Sequence, residues 1–190
     1  MDPYLYALIS TFVPEHFSVL TELAGGLLIK EIRDGKTYAN GVLHSFNDEP
    51  AVINLSGIKE WWRNGKLHRD NDLPALIWTD NWYYDDKEWW QNGQRHRNND
   101  LPAVICWDSQ RWYRYGMPHR DNDLPAIVYS NGDKEWWQNG LLHRDTDLPT
   151  LIFRDGTKKW FRNGILHRDN NLPAVVSHFG SEWWQNGQRI

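Results

Sequence analysis

The chain has 190 residues and a net charge of −4, which leaves no basic field to hold nucleic acid and argues against an anionic membrane. Only 40% of its residues are hydrophobic, yet 13 are Trp, so the apolar surface is concentrated in a few large rings. The single cysteine, Cys106, excludes a disulfide framework and fits an intracellular setting.

The first 34 residues stand apart from the rest. They open with MDPYLYALISTFV, which has no basic region ahead of its short apolar run, so a secretory signal is not expected. No apolar stretch in the chain approaches the roughly 20 residues that span a bilayer. Residues 14–26, PEHFSVLTELAGG, read as a short helix. Pro14 lies near its start, Phe17, Leu20 and Leu23 or Ala24 form an apolar stripe, and Gly25-Gly26 end it. Its expected role is to cap the first open face of the repeat array that follows. A degenerate F-box-like recruiting segment is the alternative.

From residue 35 onward the chain repeats itself. HRDNDLPA occurs at 68–75 and again at 119–126, with near copies at 96–103, 143–150 and 167–174 and a worn copy, HSFNDEPA, at 44–51. The motif histidines, His44, His68, His96, His119, His143 and His167, are spaced by 24, 28, 23, 24 and 24 residues. A second marker, aromatic-aromatic-x-Asn-Gly, runs in step from Trp61, Trp89, Trp112, Trp136, Trp160 and Trp183, after a degenerate TYANG at Thr37. Lys-Glu-Trp-Trp alternates and is aromatic-rich, as strands are. Asn-Gly accepts the positive φ of a two-residue type I′ hairpin turn. Asp-x-Asp-Leu-Pro turns the chain and cannot be a central strand. Ala-Val-Ile resumes an extended run. The fold class expected is therefore all-β: a meander of short antiparallel strands over residues 35–190, as a rod about 60–70 Å long at roughly 10 Å per unit.

Neighbours on a strand face opposite ways. The first aromatic is Trp in all six clear units and is expected to pack inside, between units. The second is Trp62, Trp90, Tyr113, Trp137, Phe161 or Trp184 and is expected to line the other face. One unit carries an insertion within WTDNWYYDDKE (78–88), whose Trp82, Tyr83 and Tyr84 have no counterpart elsewhere. These three are candidate partner-binding residues, because what a single unit adds is not needed by the repeat. The chain given ends in a unit without its turn, at Trp183 to Ile190, so Ile190 and the edge beside it are a further candidate contact, for another copy or another protein.

The repeated units resemble the MORN repeat, in the His-Arg-Asp-x-Asp-Leu-Pro variant of large DNA viruses such as marseilleviruses and iridoviruses. The resemblance implies an elongated antiparallel β-solenoid. It implies a non-enzymatic scaffold that contacts proteins, in the host cytoplasm or the virion, and in some family members membrane lipid. This chain departs from the usual unit, with His-Arg for His-Gly and Asp-x-Asp-Leu-Pro-Ala for a glycine, and with its acidic balance this argues against the lipid role. The alternative reading is a carbohydrate-binding module using the aromatic stripe, since Trp-Trp with Asn-Gly turns also resembles bacterial wall-binding repeats of shorter period.

No catalytic residue, metal site or cofactor is expected. His-Arg-Asp spells a protein-kinase catalytic loop, but neither a glycine-rich phosphate loop nor Asp-Phe-Gly accompanies it, and a motif built six times reads as a structural rung. Histidines about 10 Å apart cannot share a zinc ion. Asp70 and Asp72 lack the later bidentate glutamate of a calcium loop. The expected role of Arg69, Arg97, Arg120, Arg144 and Arg168 is to bridge turn carboxylates among Asp70, Asp72, Asp100, Asp121, Asp123, Asp145, Asp147 and Asp169 through the planar guanidinium fork.

Overall fold

The computed structural model describes residues 16–23, 26–78 and 86–190. The described chain is all-β. Twelve short strands form one long antiparallel sheet, and their order along it is their order in the sequence, from Val52–Ile53 at one edge to Gly180–Glu182 at the other. Each unit gives two strands to this sheet, such as Ile127–Tyr129 and Lys134–Glu135, and one hairpin arm outside it. The arms pair Trp62–Arg63 with Lys66–Leu67, and so on in step to Trp184–Gln185 with Gln188–Arg189.

The first Trp of each unit is the corner between sheet and arm. Trp61 N–H donates to Ala75 O at 2.8 Å, and its carbonyl accepts from His68 N–H at 3.0 Å. Trp89, Trp112, Trp136 and Trp160 repeat both bonds with their own partners. The chain thus changes sheets with both peptide groups of the corner tryptophan paired. The arms close through Asn-Gly turns with both residues at positive φ, for example Asn139 at 48° and Gly140 at 83°. In one arm Tyr115 takes the asparagine position at φ 46°, and its ring stacks on His96 with centroids 4.3 Å apart. Successive arms are tied by a bond from each turn glycine to the arm before, such as Gly140 N–H to Pro118 O at 3.0 Å.

Register divides the long sheet into two rows, because residues directly opposite on neighbouring strands face the same way. The inner row runs Val52, Glu60, Leu76, Glu88, Val104, Arg111, Ile127, Glu135, Leu151, Lys159, Val175, Glu182. Its aliphatic members from Val52 to Leu151 are buried. The outer row runs Ile53, Lys59, Ile77, Lys87, Ile105, Gln110, Val128, Lys134, Ile152, Lys158, Val176, Ser181, and none of these is buried.

The N-terminal segment corrects the sequence reading. The described part of the expected helix is a strand: His16–Leu23 pairs antiparallel with Gly26–Arg33 through eight opposed residues. Gly26–Arg33 then pairs with Lys36–Ala39, so the boundary expected at 34/35 is a hairpin turn, with Asp34 at φ 49° and Gly35 at 70°. Phe17, Val19, Thr21 and Leu23 also fit a period of two, and the β-branched pair favours an extended chain once a partner strand is available. Pro14 and the first 13 residues lie outside the described residues.

Candidate functional site

Five of the six turns of this motif hold two residues in the left-handed region, and the turn at 145–147 does not. Asn71 and Asp72 sit at φ 58° and 55°, and the pairs at 47–48, 99–100, 122–123 and 170–171 do likewise. This geometry turns the second residue's carbonyl toward the next unit. Trp89 Nε1–H donates to Asp72 O at 2.9 Å, and the same bond joins Trp61 to Asp48, Trp112 to Asp100, Trp136 to Asp123, Trp160 to Asp147 and Trp183 to Asn171.

The arginine then takes the same aspartate's carboxylate. Arg97 donates from Nε and Nη2 to the two oxygens of Asp72, each at 2.8 Å, and from Nη1 to Pro102 O at 3.3 Å. Its guanidinium carbon lies 3.8 Å from the Trp89 ring centroid. Arg69, Arg120, Arg144 and Arg168 repeat the arrangement on Asp48, Asp100, Asp123 and Asp147, over Trp61, Trp112, Trp136 and Trp160. Each arginine therefore reaches back one unit and takes no carboxylate of its own turn. Hydrogen bonds from Arg69, Arg97, Arg144 and Arg168 hold Asp48, Asp72, Asp123 and Asp147 below the ordinary carboxylate range.

The histidines reach forward. His68 Nδ1 accepts the backbone N–H of Asn92, the left-handed residue of the next arm, at 3.0 Å. Its Nε2 lies 3.0 Å from Asp70 Oδ1, so the neutral Nε2–H form satisfies both partners. His119, His143 and His167 accept from Asn139, Asn163 and Asn186 and reach Asp121, Asp145 and Asp169, while His96 accepts from Tyr115 and reaches Asn98. Burial first, and then the cation of Arg63, pushes the His68 imidazole down from its ordinary value; burial does the same to His44.

Both aromatic stripes have defined places. The first-position Trp residues from Trp61 to Trp160 are 5–8% exposed, whereas Trp183 is 41% exposed. The second-position rings are half-buried. The indole N–H of Trp62, Trp90, Trp137 and Trp184 donates to Glu60, Glu88, Glu135 and Glu182, two residues earlier on the inner row, at 2.6–2.9 Å. Where the ring is Tyr113 or Phe161, the inner-row residue is Arg111 or Lys159 instead. Sequence reading passed over these glutamates, although their co-variation with tryptophan is visible within the one chain. It also passed over the outer-row lysines.

Trp82, Tyr83 and Tyr84 lie outside the described residues. Ile190 is exposed, and its N–H donates to Trp183 O at 3.1 Å. Burial raises the Cys106 thiol, whose Sγ lies 3.1 Å from both Asp108 Oδ1 and Ser109 Oγ. Among the described residues no group of three or more His, Cys, Asp or Glu side chains converges as metal ligands do. Two depressions, with cavity volumes of about 210 and 250 Å³, lie between successive turns over Trp136 and Trp112 and are lined by the Arg, Asp, His and Trp side chains just described, which together form a turn lock.

Neither protein-family models nor curated proteins match the chain.

Proposed function

We propose that the chain is a non-enzymatic interaction scaffold, an elongated MORN-like β-repeat that binds other proteins through the outer face of its long sheet. One observation carries the reading. The residues with chemical potential, five arginines, their aspartates and the histidines, are each bonded across a unit boundary. Such bonding makes a stiff ladder and leaves the outer row as the regular surface on display. The carbohydrate alternative draws on the second aromatic stripe, whose indole N–H groups are already bonded to Glu60, Glu88, Glu135 and Glu182. The inserted Trp82, Tyr83 and Tyr84 and the edge at Ile190 are the other two surfaces this reading assigns to partners, and a virion component is one such partner.

Lysine-directed cross-linking of the native protein in its source cells tests the reading. Cross-links from Lys59, Lys87, Lys134 or Lys158 to a second polypeptide are expected, and trimming residues 80–84 shows whether the insertion adds to them. A chain that cross-links to no polypeptide and binds immobilised polysaccharide would replace the scaffold with the carbohydrate reading.

A further inference from the structure

The outer row differs from the turn arginines in its charge chemistry. Every arginine of the turn lock is engaged by a carboxylate, a carbonyl and a ring. Lys59, Lys87, Lys134 and Lys158, by contrast, make no ion pair or side-chain hydrogen bond among the described residues. No carboxylate stands in their row. Between consecutive row positions lies an aliphatic residue, Ile77, Ile105, Val128 or Ile152, each only half-buried. Free cations alternating with apolar side chains on a solvent face favour an occupant with the complementary alternation of acid and apolar group.

Pitch selects the kind of occupant. Strands stack at about 4.8 Å, so Lys59 and Lys87, like Lys134 and Lys158, are about 9.6 Å apart with an aliphatic midway, while the polar Gln110 holds the position between Lys87 and Lys134. An extended strand repeats a face every two residues, about 6.8 Å, and misses this spacing. A polyproline segment repeats every third residue, about 9.3 Å, but puts no side chain of the same face midway. An α-helix repeats every seven residues, about 10.5 Å, with i+3 and i+4 on the same face about halfway. A tilt of about 25° from the stacking direction brings that rise to 9.6 Å.

We infer that the outer row is a docking surface for an acidic amphipathic helix of a partner protein, with a carboxylate at every seventh position and an apolar residue midway between. The inference rests on the scaffold reading and names its partner's chemistry. From Lys59 to Lys158 is eight strand steps, roughly 38 Å, or about 26 helical residues. Sheet twist turns the row about the stacking axis, so the smallest productive contact is one adjacent pair, Lys59 with Lys87 or Lys134 with Lys158.

The test uses the full chain and two synthetic peptides of about 28 residues with one composition. One places Glu at i, i+7, i+14 and i+21 with Leu midway on a Gln/Ala helix. The other permutes the same residues so that Glu and Leu share no face. Fluorescence anisotropy is expected to show the heptad peptide binding at least about tenfold more tightly than the permuted one. Lys87→Gln with Lys134→Gln, which breaks both pairs, should remove that preference; Lys59→Gln with Lys158→Gln is the second variant should the first not fold by circular dichroism. Equal binding of the two peptides, binding of neither, or a stronger hold on anionic vesicles or duplex DNA than on the heptad peptide overturns the inference. A cross-linked polypeptide recovered while neither peptide binds leaves the scaffold standing without the helix; loss of both removes the two together.

Discussion

Replacing Arg120 with Ala measures how much one turn lock contributes. The guanidinium forms two bonds to Asp100 at 2.8 and 2.9 Å, one to Pro125 O at 3.3 Å, and lies 3.8 Å from the Trp112 centroid. Arg120 is 15% exposed in its side chain but Asp100 is 46% exposed, so the ion pair is screened and is worth about 0.5–1 kcal/mol. The carbonyl bond adds about 0.5–1 kcal/mol and the cation–ring contact about 1 kcal/mol. The total is about 2–3 kcal/mol, or roughly 5–10 °C in Tm for a domain of this size. Arg120→Lys keeps charge and ring contact without the fork and should lose about half as much. The assay is urea unfolding by tryptophan fluorescence, with Asp100→Ala and the double variant closing a cycle whose coupling should reach about 1 kcal/mol. An Arg120→Ala midpoint within error of wild type, or additive single variants, would refute the lock.

Three more outcomes follow from the same geometry. Glu135→Lys should destabilise the chain by about 1–3 kcal/mol, because Trp137 Nε1–H and Tyr129 Oη–H lose their acceptor; adding Trp137→Phe, which copies the Lys159–Phe161 unit, should recover part of the loss in a thermal melt, and no recovery would dismiss the co-variation. Thr146→Asn should stabilise by about 1 kcal/mol, roughly 2–4 °C in Tm, by letting this turn, which is not left-handed at Thr146, adopt the left-handed pair of the other turns that β-branched threonine resists; an unchanged or lower Tm counts against it. The pH dependence has two parts. The depressed carboxyls of Asp48, Asp72, Asp123 and Asp147 contribute stability that is full above about pH 3.9 and is lost as pH falls through their lowered folded values. The depressed imidazole of His68 means that below about pH 6.5 the unfolded chain binds protons the folded chain refuses, so stability falls as pH drops from there through the folded value. Wild type should therefore lose more urea resistance between about pH 7.5 and 5.5 than His68→Gln does; equal losses would show that His68 does not titrate in this way.

Much of the architecture was legible because the units repeat. Asn-Gly between aromatic runs points to a hairpin turn without any knowledge of the fold, and arginine with aspartate in every unit points to forked ion pairs. Which aspartate each arginine takes was not legible. Arg97 passes over Asp100 of its own turn and reaches Asp72, a choice set by how units stack. The outer row was illegible for a similar reason: Lys59 and Lys87 share a line with Ile77 only once register is known. The N-terminal reading failed where two periods competed. Phe17, Leu20 and Leu23 suit a helix, but a helix of that length has little stability alone, whereas Gly26–Arg33 offers a ladder of eight opposed residues.

The turn that differs shows why the motif is built as it is. Asn71-Asp72 and its counterparts hold two residues in the left-handed region, at a cost of about 1–2 kcal/mol each for ordinary side chains and less for Asn and Asp. That conformation points a carbonyl and a carboxylate at the next unit, where an indole N–H and a guanidinium meet them. In the Asp145-Thr146-Asp147 turn neither central residue has positive φ, and the closing bond that Leu73, Leu101, Leu124 and Leu172 N–H make to the residue three before is absent at Leu148 among the described residues. The forward contacts loosen there: Trp160 Nε1 to Asp147 O is 3.3 Å, the longest of its kind, and the His143 side chain is 19% exposed against 5–9% for His68, His119 and His167. Strain inside a turn is thus offset in the neighbouring unit, and a unit alone would carry the strain without the return. Stability in such a chain resides at the boundaries between units, which is why the motif histidines, the turn arginines and their aspartates are bonded across those boundaries, while Lys59, Lys87, Lys134 and Lys158, with no ion pair among the described residues, face out.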